Sequence, residues 1–223
     1  VPPVCRIELY GIHKNTAQDR EVNDQNIKEM LMSESITSAE VTHLMLRKNN
    51  IECAGIVWLC DDFLSKNTTL QHLDLSSNVK LFCAPVKSAK AKSFAFLRDD
   101  SIIAVSGLLK RPQLPLKDLL IANCGLTSEG AALLAGSLQA NSTLELLDVH
   151  KNYIGDEGVQ RICEALFSHP TIKYLLLINK VDEITAAKIK MIGEMDDYSS
   201  ALIRAGTNIA PLFKKDLLNI NVF

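Results

Sequence analysis

The stretch LELLDVHKNYIGDEGVQRICEALFSHPT, residues 144–171, decides the fold because it repeats the stretch before it. Aligned with LKDLLIANCGLTSEGAALLAGSLQANST, residues 116–143, it matches apolar residues at the first, fourth and sixth places and pairs Gly158 with Gly130. The period is 144 − 116 = 28 residues. Self-similarity at a fixed period of this length predicts a stack of equivalent structural units.

Further copies of the pattern flank these two. A full copy begins at Val41, and partial copies begin at Leu70, at Ile172 and, more loosely, at Val4. The Leu70 copy contains an insertion, because the next copy starts 46 residues later, which is 28 + 18. Six strands are therefore predicted, near residues 6–9, 43–46, 72–75, 118–121, 146–149 and 174–177.

Each unit is predicted to contain a strand, a turn and a helix. Leu147 and Val149 lie two residues apart, which is the spacing of a strand with one buried face. An Asn or Cys follows in the turn, where a polar side chain can hold backbone groups. Apolar residues then recur at helical spacing, at Val159, Ile162, Ala165 and Leu166. One unit cannot bury both faces, so neighbouring units must stack.

This pattern resembles the leucine-rich repeats, and among them the 28-residue ribonuclease-inhibitor type. Members include ribonuclease inhibitor, NOD-like receptors, Ran GTPase-activating proteins and tropomodulin. The resemblance implies an α/β solenoid, a horseshoe arc with parallel strands on the concave face and helices on the convex face. We expect the arc to span residues 1–178, with an insertion at about 80–98, and residues 179–223 to form a C-terminal helical cap or docking tail.

Composition excludes several classes of protein. The formal charge of −2 argues against a strongly basic nucleic-acid binder. The sequence contains no run of 18 apolar residues, so it gives no indication of membrane insertion. The six cysteines are scattered without a C-x-x-C pair, which favours a reducing compartment over a disulfide framework. We therefore expect a cytoplasmic location, with association to the cytoskeleton as the narrower alternative.

The polar residues of the opening stretch raise the question of a metal or catalytic site. Asp148 and His150 fall on outward strand positions, whereas Asp156 and Glu157 fall at the start of the next helix, where the helix dipole favours acids. These four residues need not converge. Cys124 takes the Asn place of its repeat, where a thiol is more often buried than nucleophilic. The sequence therefore predicts no catalytic residue, no metal site and no cofactor.

Outward strand positions on the concave face are the candidate partner-binding residues, because this fold usually binds there. The candidates are Met45, Arg47, Asp74, Leu120, Leu146, Asp148, His150, Tyr174, Leu176 and Ile178. The last strand presents an unbroken apolar set, more than a solvated sheet normally exposes. We expect this set to be covered, either by the chain's own C-terminal segment or by a partner.

Two segments depart from the repeat. The tail is apolar, and its candidate docking residues are Leu212, Phe213, Leu217, Leu218 and Phe223. It is interpreted either as a terminal cap or as an arm that docks on another subunit. The insertion at 80–98 carries five basic residues and no acid, and it is interpreted as an exposed loop or as a contact for an acidic partner.

The predicted function is a non-enzymatic protein–protein interaction module within a larger hetero-complex. We expect a scaffold or assembly subunit of an intracellular, cytoskeletal or ciliary complex, with one or more proteins as partners and no small-molecule substrate. Membrane insertion is not expected and nucleic acid is disfavoured. The alternative is a GTPase-activating protein for a small GTPase, in which Arg47 would act beside the bound nucleotide.

Overall fold

The structure is a computed structural model that describes residues 6–9, 22–33, 40–79, 81–82, 100–167, 169–177 and 219–220. Within these ranges the strands are β1 (Arg6–Glu8), β2 (His43–Met45), β3 (His72–Asp74), β4 (Asp118–Leu120), β5 (Leu146–Asp148), β6 (Tyr174–Leu176) and β7 (Asn219–Ile220). The helices are α1 (Ile27–Ser33), α2 (Cys53–Trp58), α3 (Asp100–Leu109), α4 (Ser128–Leu138) and α5 (Gly155–Phe167).

The strands form one parallel sheet in the chain order β1 to β7. All six predicted strands are present at the predicted positions. The register joins equivalent residues of successive repeats, so that Leu119 pairs with Leu147 and Leu147 with Leu175. Helices follow the strands in alternation, which confirms the α/β solenoid.

The seventh strand was not predicted from the sequence. Asn219 and Ile220 pair with Tyr174 and Leu175 of β6, although the apolar tail was expected to be helical or to dock elsewhere. The other residues from 178 to 218 and from 221 to 223, including Ile178 and all five tail candidates, lie outside the described residues. The role assigned to the tail stays a prediction.

The core lies between the sheet and the helices. The central residue of each of the first six strands is at most 3% exposed: Ile7, Leu44, Leu73, Leu119, Leu147 and Leu175. Burying one such side chain contributes about 1.5–3 kcal/mol. The helical stripe of α5 is buried opposite them, at Ile162, Ala165 and Leu166. The fold therefore follows from one apolar row per element, repeated along the stack.

Buried asparagines join the turns that follow the strands. The Nδ2 group of Asn152 donates to the carbonyl oxygens of Ile121 and Val149, and its Oδ1 accepts from the amides of Cys124 and Leu126. Asn49 and Asn78 likewise bond backbone groups of their own repeat and of the preceding repeat. Each amide satisfies backbone groups of two repeats, which the buried turns require.

A second set of polar residues holds the turn that precedes the strands. The Oδ1 atoms of Asn67 and Asn141 each accept two backbone amides, at 2.7–3.0 Å. His169 takes this place in the last full repeat, where its Nδ1 faces the amides of Thr171 and Ile172 at 3.4 and 3.3 Å. Nδ1 must therefore accept, and Nε2 carries the proton. Nε2 is buried without a partner among the described residues.

We expect the stability of the chain to depend on pH through His169. Burial lowers the pKa of His169 below its ordinary value of 6.5. Because the pKa of this imidazole is lower in the folded state than in the unfolded state, it contributes stability that is present above about pH 6.5. That stability is lost as the pH falls through the folded-state pKa. His169→Asn should accept the same two amides and should flatten the loss between about pH 7 and pH 5. Urea unfolding of both proteins across this range is the measurement, and parallel curves would contradict the prediction.

The unit that begins at Val41 is one residue longer than the units that begin at Leu116 and Leu144, and a helical distortion accompanies the extra residue. The copy from Val41 runs 70 − 41 = 29 residues, against 28 for the next full copies. The end of its helix forms a π-turn over Leu59–Phe63, which takes up one residue. The guanidinium of Arg111 donates to the carbonyl oxygens of Cys60 and Leu64 at 2.7 and 2.8 Å. A side chain from a later unit thus caps this irregular helix end.

Candidate protein-binding face

The solvent side of the sheet consists of two rows of outward side chains, which we call the sheet face. The first row is Arg6, His43, His72, Asp118, Leu146 and Tyr174. The second row is Glu8, Met45, Asp74, Leu120, Asp148 and Leu176. Register places each residue beside its equivalent on the next strand, about 4.8 Å away. The candidate residues Met45, Asp74, Leu120, Leu146, Asp148, Tyr174 and Leu176 therefore share one surface.

The half of the sheet face nearest β1 is polar and bonded internally. The imidazole rings of His43 and His72 are stacked with centroids 5.8 Å apart. His72 Nδ1 lies 3.1 Å from a carboxylate oxygen of Asp118, and Arg6 pairs with Glu8. Burial, then the neighbouring His72 and Arg6, lowers the pKa of His43. At neutral pH these contacts satisfy much of the polar row within the chain.

Two acids in the second row accept hydrogen bonds from backbone amides. Asp74 and Asp148 are only 2% and 5% exposed. Each accepts the amide two residues ahead, from Ser76 at 2.9 Å and from His150 at 3.1 Å. Asp148 also bonds Nδ1 of His150 at 2.5 Å. Their outward positions were predicted correctly, but their low exposure follows from turn bonding that alternation alone does not indicate.

The half nearest β6 carries an apolar patch, which we define as Leu120, Leu146, Tyr174 and Leu176. Leu146 and Tyr174 are direct neighbours in register. Tyr174 is 42% exposed, and the three leucines are partly exposed. Large apolar side chains on adjacent strands form a continuous surface, because their positions are about 5 Å apart. The described part of the sheet face therefore changes from charged to apolar along its length.

Comparison with known proteins supports the repeat fold. A family model described as Leucine Rich repeat matches residues 66–79 and 140–163, which include β3 with its turn, β5 and most of α5. These matches fall on the units whose strands, turns and buried leucines are repeated along the sheet. The chain therefore has the leucine-rich-repeat fold. Its strand order and alternating helices are those that the repeat implies.

Several curated proteins resemble this leucine-rich-repeat chain. "NACHT, LRR and PYD domains-containing protein 9C" of Mus musculus is 32% identical over 154 residues, 64% of this chain and 15% of that protein. "NACHT, LRR and PYD domains-containing protein 2" of Homo sapiens is 27% identical over 215 residues, 90% of this chain and 19% of that protein. The chain thus spans less than a fifth of the length of these two relatives.

A solved structure also resembles the chain. It is described as "Leiomodin-1 Actin-Binding Site 2 (ABS2)", with a TM-score of 0.37 and 18% sequence identity, and the match covers 52% of this chain and 74% of that chain. Among the described residues, no helix of the leucine-rich-repeat chain has the length and apolar character needed to cross a bilayer.

The remaining reactive groups of the described residues are possible metal ligands and thiols. They contain no group of three or more His, Cys, Asp or Glu side chains arranged to hold a metal ion. Burial raises the pKa of Cys60 and of Cys163 to about 12, and it raises the pKa of Cys124 further, so these thiols stay protonated at neutral pH. Asp156 and Glu157 lie in the first turn of α5, whereas Asp148 of β5 bonds His150.

The turns that follow β2, β3, β4 and β5 form a second surface, which we call the exit rim (residues 46–50, 75–79, 121–125 and 149–153). Each turn has one non-glycine residue at positive φ: Lys48, Ser77, Asn123 and Lys151. Arg47, Lys48 and Lys151 are exposed, and His150 is partly exposed. Sequence analysis selected Arg47 and His150 but missed Lys48 and Lys151, which occupy the same place in their repeats. Comparison of equivalent turn positions was the signal that could have found them.

Proposed function

We propose that the leucine-rich-repeat chain is a non-enzymatic protein-binding module and that the sheet face is its binding surface. The apolar patch carries this proposal. Tyr174 presents a large ring at 42% exposure beside Leu146 on the next strand. Aromatic side chains of this kind are enriched among the residues that contribute most to protein–protein affinity.

The partner is proposed to dock with its apolar side chains on the patch and its polar side chains toward β1 to β3. The polar row there includes the stacked His43–His72 pair and the His72–Asp118 contact, which suit a hydrated rim better than a buried centre. Arg6 and Glu8 extend this polar surface to the first strand. Affinity should therefore depend mainly on β4 to β6.

A scaffold or assembly subunit of a larger complex is the proposed cellular role. Support comes from the relatives, whose names combine LRR with NACHT and PYD domains, and of whose length this chain spans only a small part. The predicted docking residues Leu212, Phe213, Leu217, Leu218 and Phe223 belong to this proposal as a second contact. Cover of the patch by the chain's own tail is the competing outcome.

Truncation of Tyr174 tests the proposal. Cross-linking and mass spectrometry of the full chain in native cells identify a protein whose cross-links fall on β4 to β6, and the purified pair is then titrated. Tyr174→Ala should weaken that binding by about 10- to 100-fold. Leu133→Ala is the matched control, because Leu133 is 46% exposed but lies on α4, on the helix side.

Two results would contradict the proposed function. Equal affinities for wild type and Tyr174→Ala would remove the apolar patch from the interface. A monomeric chain in solution, together with cross-links from the patch only to residues 178–218, would show that the tail covers the patch.

The GTPase-activating alternative depends on Arg47. Its side chain is exposed in the turn after β2, as a residue that reaches a bound nucleotide must be. Single-turnover GTP hydrolysis by a purified small GTPase, measured with the full chain and with Arg47→Ala, separates the two functions. Acceleration by wild type that Arg47→Ala abolishes would support the alternative, and unchanged hydrolysis would leave binding as the function.

A further inference from the structure

The exit rim concentrates positive charge at two places. Arg47 and Lys48 lie in the turn after β2, and His150 and Lys151 lie in the turn after β5. The four turns of the rim, residues 46–50, 75–79, 121–125 and 149–153, contain no Asp or Glu. Among the described residues, the ion pairs involve other cations, and Arg47, Lys48 and Lys151 form none.

At the opposite end of the strands, where each strand begins, the cations are paired with an acid. There Glu145 lies between Lys117 and Lys173, at 3.2 and 2.5 Å, so the acid offsets the two cations that flank it. These contacts, led by Lys173, lower the pKa of Glu145 and keep it charged. Asp74 and Asp148, which directly precede two of the rim turns, are buried and accept backbone amides of those turns. The three fully cationic side chains of the rim thus face solvent without such a bridge.

The spacing of the two cationic places restricts the partner. They are three strands apart, and strands are about 4.8 Å apart, so the places are separated by about 14 Å. Between them, Ser76 and Ala122 are 6% and 3% exposed and Val79 is 53% exposed, so the two described turns that separate the cationic places carry no charged side chain. An extended chain rises about 3.4 Å per residue, so acidic side chains about four residues apart would reach both places.

The rim adjoins the apolar patch. Leu120 and Leu146 lie two and four residues before Ala122 and His150 of the rim turns. A segment that crosses the strands along the rim can therefore place apolar side chains on the patch between its acids. Arg and Lys pair with carboxylates in any extended or helical segment, whereas recognition of RNA needs aromatic or base-edge contacts in addition.

We infer that the exit rim recognises an acidic segment of a partner protein in which acidic residues about four residues apart flank apolar side chains. Arg47 and Lys48 take one acidic group, Lys151 takes the other, and the apolar residues rest on Leu120 and Leu146. This inference rests on the proposed function, whose partner it narrows by charge and spacing.

A peptide titration tests the inference with the full chain. The probe is a fluorescein-labelled peptide with Glu-Glu pairs placed about four residues apart around leucines, and binding is followed by fluorescence anisotropy. Lys48→Glu combined with Lys151→Glu should weaken binding about tenfold, because each attraction becomes a repulsion. The control is Lys66→Glu combined with Lys110→Glu, which changes the net charge by the same amount. Both lysines are exposed, just after the π-turn and just after α3, and their reversal should change binding less than about twofold.

Two controls test whether binding of the peptide depends on charge. The same peptide with Gln for Glu should bind about tenfold more weakly to wild type and should not respond to the double reversal. Raising the salt concentration should weaken the Glu peptide more than the Gln peptide, because screening acts on exposed charge pairs.

Three outcomes would overturn the inference. Equal binding of the Glu and Gln peptides, with both weakened by Tyr174→Ala, would remove the rim and leave the proposed function standing. No binding of the Glu peptide would overturn the stated segment, while the cross-linked partner of Tyr174 still tests the proposed function by itself. Tighter binding of a single-stranded RNA oligomer, also lost in the double reversal, would make the rim a polyanion site for nucleic acid.

Discussion

Asn152→Ala should lower the free energy of unfolding by about 3–5 kcal/mol, the largest loss we expect from a single substitution in this chain. Asn152 is 0% exposed. Its Nδ2 donates to Ile121 and Val149 at 2.9 and 2.8 Å, and its Oδ1 accepts from Cys124 and Leu126 at 2.9 and 3.1 Å. Alanine leaves these buried backbone groups without partners, and each such group costs about 1–3 kcal/mol.

Cys124→Ala is the matched comparison, because Cys124 occupies the same place in the preceding repeat. Its Sγ contacts only the carbonyl oxygens of Leu75 and Ala122, at 3.2 and 3.3 Å, and a thiol is a weak donor. We expect a loss of about 1–2 kcal/mol. Urea unfolding followed by circular dichroism measures both variants. Similar losses would show that the asparagine does not join the repeats as its bonds indicate.

Gly158→Ala should destabilise the chain by about 1–3 kcal/mol although alanine favours helices. A Cβ at this position would lie 2.3 Å from Cγ2 of Ile154, 3.0 Å from Cβ of Ala131 and 3.2 Å from Cα of Ser128. The last of these is backbone of α4, so neighbouring helices would have to separate. Thermal unfolding at fixed pH measures the effect.

Gly136→Ala is the control for helix propensity. Gly136 lies within α4, and a Cβ there would meet no heavy atom within 4 Å. This substitution should stabilise the chain by about 0.4–1 kcal/mol, because alanine reduces the freedom of the unfolded chain. The two glycines should therefore respond with opposite signs. A stabilised Gly158→Ala variant would mean that α4 and α5 pack less closely than described.

Much of the sheet face could be predicted from the sequence, because strand alternation assigns each residue to one side. Leu146, Tyr174 and Leu176 lie on the predicted surface. Alternation does not report exposure, however, and Asp74 and Asp148 are largely buried by bonds to the turns that follow them. The predicted helical tail has Asn219 and Ile220 in a strand, since pairing with the edge of β6 does not need a repeat signature.

By itself, the sequence determined the repeat, the order of strands and helices, and the residues that form the core. These features follow from the types of residue that recur two residues apart in strands and about four residues apart in helices. Such spacings can be read from a short stretch of sequence without knowledge of the rest of the chain. Only the tertiary structure decided which groups of different repeats meet. The bond from Asn152 to Ile121, the contact of Gly158 with α4 and the alignment of Lys48 with Lys151 all depend on stacking, which brings residues a whole repeat or more apart onto one surface.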